Sequence, residues 1–170
     1  EAREIGLHEG PTRDWCEELA EDARQEVFPS LGAAARAHCS TLFEQFLGDA
    51  GNFAYRAVVI HSDLGGRHML MDETPRVVGV IDYGSVCIGD PADDFRPSLL
   101  DFGEDFGRAL LAEYGHDDPD RAVRNAYFHH VAGELGGWME GIREGAEWKV
   151  DNKRSALDHA LAAYAASSHA

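Results

Sequence analysis

Three short apolar runs, set between long helical patterns, constrain this chain more than anything else in it. They are RAVVIH at residues 56–61, HMLM at 68–71 and RVVGVI at 76–81. Each is too short for a helix and the first and third are rich in β-branched residues, so each reads as a short strand. Thr74-Pro75 supplies a turn between the second and third runs, which predicts a hairpin.

The flanks have helical spacing. Over residues 12–28, Trp15, Leu19 and Val27 are apolar between acids, Thr12 is a candidate N-cap and Pro29 a stop. Over residues 31–47, Leu42, Phe43, Phe46 and Leu47 form an apolar face, closed by Gly48 and Gly51. Helical spacing returns after Pro91, with helices expected at 98–114, 120–143 and 153–166. The fold class that follows is α+β, mainly α.

Charge narrows the partners. The chain of 170 residues carries 15 Lys and Arg against 31 Asp and Glu, a net charge of −16. Non-specific nucleic-acid binding needs a basic face, and anionic lipid repels such a surface. A cationic ligand is permitted. With 44% hydrophobic residues the chain can bury a core, and its length suits one domain. Cys16, Cys39 and Cys87 are odd in number and lack a C-x-x-C pair, which predicts free thiols in a reducing cytoplasm. No apolar run approaches the ~20 residues of a membrane span, and the charged start of the chain lacks a signal-peptide core.

The chemistry gathers in residues 60–94. His61-x-Asp63 leaves the first strand, His68 opens the second, and Asp82 ends the third, with Gly89-Asp90-Pro91 beyond. A hairpin would bring Asp63, His68 and Asp82 to one end of the β element. Phosphoryl transfer needs such a set: a carboxylate to align the attacking hydroxyl and further donors for Mg²⁺ on the β- and γ-phosphates. A metal-dependent hydrolase using His61, Asp63, His68 and Asp82 is the competing reading.

HSDLGGRHMLMD at 61–72 resembles the H-x-D-x-x-x-x-N catalytic loop of the aminoglycoside phosphotransferase family, relatives of the protein kinases. VIDYGSVCIGDPADDF at 80–95 resembles that family's I-D-[FW]-G…G-D-P-x-x-D segment. DFGEDFGRALLAEYG at 101–115 and GELGGWMEGI at 133–142 are similar to substrate-binding helices of the 2″-aminoglycoside branch. The resemblance implies the C-terminal lobe of a protein-kinase-like phosphotransferase over residues 1–170, with a small β hairpin at the catalytic loop. It implies transfer of the γ-phosphoryl of ATP or GTP, with Mg²⁺, to a hydroxyl of an aminoglycoside in antibiotic resistance. Asp63 would be the catalytic Asp, His68 and Asp82 the metal ligands, and His61, Asp90 and Asp94 supports of the loop. His68 stands where Asn is usual, as in the 2″-aminoglycoside and macrolide branches. Ser62 replaces a common Gly, and Tyr83 a Phe or Trp.

For the acceptor, Asp101, Glu104, Trp138 and Glu140 are the expected contacts, with Asp105, Glu134 and Glu144 as weaker ones. Acids three or four apart on a helix can meet ammonium groups, and a Trp face can cover a sugar ring. For Asp101, Glu104 and Asp105 the alternative is helix N-terminal acids; for Trp138 it is core packing. His38, His129, His130 and His159 read as ordinary packed or surface histidines. The only lysines are Lys149 and Lys153, both after the catalytic loop. No Lys therefore stands where a kinase-like N-terminal lobe would present one to the phosphates, and that lobe is expected to be absent and the isolated chain inactive. A kinase of macrolides or other hydroxylated metabolites, and a non-catalytic kinase-like binding module, are the other readings.

Overall fold

The computed structural model describes residues 6–74 and 76–167; Pro75 of the expected turn lies outside them. Contacts gather the chain into two compact units, one of Glu1–Gly10 with Tyr55–Ala126 and one of Pro11–Ala54 with Tyr127–Ala170.

The second unit is helical. It holds α1 (Arg13–Glu26) and α2 (Ala33–Gly48), most of α5 (Pro119–Glu144), and α6 (Glu147–Ser167). Thr12 caps α1, its side chain accepting from the Trp15 amide at 3.2 Å. Past Glu26 the chain tightens into a 3-10 turn, Phe28–Ser30, that contains Pro29, which has no N–H to continue the helix. Leu42, Phe43 and Phe46 of α2 are buried against Phe128, Leu135 and Trp138 of α5 and Leu157 of α6. At the centre the rings of Phe46 and Phe128 stack, centroids 3.5 Å apart and planes within 2°, with Phe43 edge-on to Phe128 at 5.4 Å. Leu19 and Val27 of the expected apolar stripe are buried; Trp15 is 40% exposed. On the surface, Arg143 of α5 spans Asp22 and Glu26 of α1 at 2.7 and 2.6 Å.

The first unit carries the strands β1 (Val58–Ile60), β2 (Met69–Met71), β3 (Val77–Val80) and β4 (Cys87–Gly89), and the helices α3 (Ala92–Phe102) and α4 (Glu104–Tyr114). The expected hairpin is present: β2 and β3 pair antiparallel with Met69 opposite Val80, and a bulge follows Leu70. Asp72 closes its turn, accepting from the amide and hydroxyl of Thr74. The first strand does not join this hairpin. It pairs with β4, Ile60 opposite Cys87, so two separate two-stranded ladders replace the single β element expected.

The helix expected at 98–114 is two helices. Gly103, at φ +91°, breaks it, a conformation that favours glycine. α3 also starts earlier, because Asp90 accepts from the Ala92 amide at 3.0 Å, and it carries Pro97 inside it. α3 and α4 pack tightly at Gly107, where an added Cβ would collide with the Leu99 side chain.

No described helix is long and apolar enough to cross a membrane. Cys16, Cys39 and Cys87 are free and buried. Burial pushes the Cys16 thiol up to about 12 and that of Cys39 to about 11 from an ordinary value near 9. Below pH 9 both thiols are protonated in the folded and unfolded chain, and their contribution to stability is intact. Above it the unfolded chain ionises first, so stability falls as the pH climbs towards 11 and 12. The urea midpoint will be lower at pH 10 than at pH 8, and Ellman's reagent will reach Cys16 and Cys39 only as the helical unit opens.

Candidate active site

The loop from β1 to β2 takes its shape from α3. Asp94, in the first turn of that helix, accepts from two consecutive amides, His61 at 2.9 Å and Ser62 at 2.7 Å. Burial raises the Asp94 pKa, while these two donors work the other way. Neighbouring Asp93 takes the Ser62 hydroxyl at 3.2 Å, and Arg96 donates to the Ser62 carbonyl at 3.3 Å. Ser62 needs this hold, because its φ of +66° is left-handed and costs a non-glycine residue about 1 kcal/mol. The left-handed position also explains why glycine suits it.

Two histidines then lock the loop. The Nε2 of His61 lies 2.9 Å from the Ile81 carbonyl. A carbonyl only accepts, so Nε2 carries the proton and Nδ1 accepts from the Asp63 amide at 3.3 Å. One buried ring thus ties the residue before Asp82 to Asp63. His68 works in the opposite tautomer. Its Nδ1 donates to the Asp63 carbonyl at 2.7 Å, which leaves Nε2 with its lone pair. That atom lies 3.4 Å from Oδ2 of Asp82.

Asp82 follows β3 and is itself left-handed, at φ +67°. Ser62 and Asp82 are the two non-glycine residues with positive φ among those described, and both stand here. Strain gathers at such sites because the surrounding contacts over-determine them. Among the described residues no group of three or more His, Cys, Asp or Glu side chains is gathered to hold a metal. His68 and Asp82 offer two donors, and the Asp82 side chain is 65% exposed. Mg²⁺ is commonly held by one or two protein donors with water and phosphate oxygens, so the set fits an ion shared with a nucleotide.

Arg67, which the sequence reading passes over, places Nη2 2.8 Å from both oxygens of Asp63 and Nε 3.2 Å from His68 Nε2. Its position four residues after Asp63 is the signal that could have found it. Asp90 is buried and, besides the Ala92 amide, meets Arg121 and Asn125 at 3.4 Å, joining the start of α3 to the first turns of α5.

Of the expected acceptor contacts, Asp101, Glu104, Glu134, Glu140 and Glu144 have partners inside the chain. Asp101 accepts from the Gly66 amide at 3.2 Å, bracing the loop between β1 and β2 from α3. Glu104 is paired with Arg108 at 2.7 Å, and Arg108 also meets Asp120. In the helical unit, Lys149 binds Glu140 at 2.7 Å and Glu144 at 3.2 Å, and Lys153 binds Glu134 at 3.0 Å. The hydrogen bond from Lys149 holds the Glu140 carboxyl below its ordinary range. Trp138 is 1% exposed; it packs the core of its unit and offers no face to a sugar there.

Asp94→Asn keeps one acceptor and turns an N–H donor on a backbone N–H. The expected cost is about 1–3 kcal/mol for the amide left without an acceptor. Urea unfolding measures that loss. Hydrogen exchange at the amides of residues 61 and 62 should quicken, while the hairpin amides keep their rates.

Comparison with known proteins gives the family. A family model described as "Phosphotransferase enzyme family" matches residues 6–127. Viomycin phosphotransferase of Streptomyces vinaceus is 34% identical over 122 residues, covering 69% of this chain and 41% of that protein. The solved GDP complex of wild-type aminoglycoside 2′-phosphotransferase-IIIa superposes with a TM-score of 0.88 at 26% identity, over 94% of this chain and 54% of that one. A GDP and kanamycin complex of an APH(2″) enzyme gives 0.85 at 26% identity, over 94% and 55%. This chain spans about half the length of those solved structures and less of the viomycin enzyme. With the family match covering most of its length, the chain belongs to the APH phosphotransferase enzyme family.

Proposed function

We propose that this chain is the catalytic and substrate-binding lobe of an enzyme that transfers the γ-phosphoryl group of ATP or GTP to a hydroxyl of a polycationic antibiotic, an aminoglycoside or a compound of viomycin's kind, and so confers resistance to it. The observation that carries this reading is the convergence of Asp63 and Asp82 on the two histidine rings, His61 tethering both loops and His68 Nε2 lying 3.4 Å from Asp82. Further support comes from the names of the relatives, which include viomycin, kanamycin and GDP.

In this reading the Asp63 carboxylate orients the acceptor hydroxyl and takes its proton. His61 holds the backbone of Asp63 at a fixed distance from the third strand. His68 and Asp82 would hold Mg²⁺, which neutralises phosphate charge when bound. Asp94 and Asp90 keep the loop and the start of α3 in place. Asp101 and Glu104 are the acids an acceptor would meet in the first unit, where Glu104 would exchange Arg108 for an ammonium group; in the helical unit Glu140, held by Lys149, is a separate candidate. The net charge of −16 favours the approach of such a molecule. The cytoplasm, which holds the nucleoside triphosphates, is the compartment this activity requires.

Two measurements test it. In a complete enzyme, with a nucleotide-binding lobe joined to this chain and with Mg²⁺ and ATP or GTP supplied, phosphate transfer to kanamycin or viomycin should fall about 10²–10⁴-fold in Asp63→Asn, the usual worth of a positioned base, with acceptor affinity unchanged. Activity surviving within a few-fold removes Asp63 from that role. Calorimetry of the chain with the same compounds, at about 150 mM salt to screen loose attraction, should give saturable 1:1 binding that Glu104→Gln weakens about tenfold, the loss of one charge-assisted hydrogen bond. Salt-sensitive binding indifferent to that change would turn the search towards neutral hydroxylated acceptors.

A further inference from the structure

Arg67 covers the two groups that phosphoryl transfer needs open. Its Nη2 lies 2.8 Å from both Asp63 oxygens, and its Nε donates to His68 Nε2 at 3.2 Å. The two contacts have different consequences. A carboxylate has lone pairs to spare and can keep a guanidinium while it accepts another proton. A neutral imidazole has one. With Nδ1 of His68 protonated against the Asp63 carbonyl, the lone pair on Nε2 is the only one the ring has. An N–H from Arg67 and a metal ion cannot share it.

The pairing is also built to open. The Arg67 side chain is 68% exposed and that of Asp63 38%, and exposed ion pairs of this kind contribute little. A divalent cation would bring two charges to His68 and Asp82 at shorter range. The His68 ring, in contrast, is 9% exposed and fixed by the Asp63 carbonyl, so the flexible partner is the arginine.

We infer that Arg67 is a built-in cation that closes the metal position of the ligand-free site, and that a divalent ion binds by displacing it from His68. The inference rests on the reading of His68 and Asp82 as metal ligands. It makes Arg67 a competitor of the ion, not a fixed brace of Asp63.

The test is a nucleotide-free titration with Mn²⁺, followed by the resonance of the free ion or by calorimetry, on the wild-type chain, Arg67→Gln, Arg67→Lys and Asp82→Ala. Arg67→Gln should bind Mn²⁺ about three- to tenfold more tightly, the scale of removing one like charge from a partly exposed site. Arg67→Lys, which keeps the charge and loses the Nε–H, should fall between. Melting temperatures confirm that the variants are folded. Binding to Arg67→Gln and not to the wild type would support the inference outright. Equal or weaker binding by Arg67→Gln, with Asp82→Ala still lowering affinity, overturns it and leaves the metal site standing. If Asp82→Ala changes nothing, or neither the wild type nor Arg67→Gln binds Mn²⁺, the metal ligands are misassigned and the inference falls with them.

Discussion

One half-buried carboxylate, held by two successive backbone amides, sets the geometry on which this site depends. Asp94 takes the N–H groups of His61 and Ser62, and these contacts help to hold Ser62 in the left-handed region. On either side of Ser62 the His61 ring reaches the Ile81 carbonyl and Asp63 is left partly exposed on the loop. Burial works against the Asp94 charge and the two amides work for it, so the loop is tensioned by a compromise between desolvation and hydrogen bonding.

Charge is handled locally throughout. The chain is strongly acidic, yet its few cations are placed where acids crowd: Arg67 on Asp63, Arg108 between Glu104 and Asp120, Lys149 between Glu140 and Glu144, Arg143 between Asp22 and Glu26. Most of these pairs are exposed and individually weak. They leave the acids occupied at rest and exchangeable when a ligand carries a stronger charge.

How much of this was legible in the sequence depends on the range of the interaction. The hairpin was, because Met69–Met71 and Val77–Val80 are close in sequence and their turn chemistry is local. The Thr12 cap and the Leu42–Phe43–Phe46 face were legible for the same reason. β4 was missed: three residues of Cys-Ile-Gly carry almost no strand signal, and only pairing with β1, twenty-nine positions away, makes them one. The break at Gly103 was passed over because one glycine is tolerated in a helical pattern. Asp63, His68 and Asp82 stood out by type and spacing, but their protonation did not. The tautomers of His61 and His68 follow from carbonyls that only the folded chain brings near. Trp138 shows the reverse case, an aromatic on a suggestive helix whose ring the core had already claimed.

Gly103 has a consequence for how such a protein can vary. By splitting one helix into two, it separates the segment that grips the loop between β1 and β2, through Asp93, Asp94 and Asp101 of α3, from the segment that begins with Glu104. The first is tied to the loop by hydrogen bonds; the second meets the first through Leu99 on Gly107 and through the ring pairs Phe95–Tyr114 and Phe102–Phe106. Substitutions on the faces of α4 away from these contacts leave the grip of α3 on the loop untouched. Variation in this fold thus has one helix face on which to accumulate while the neighbouring helix stays fixed.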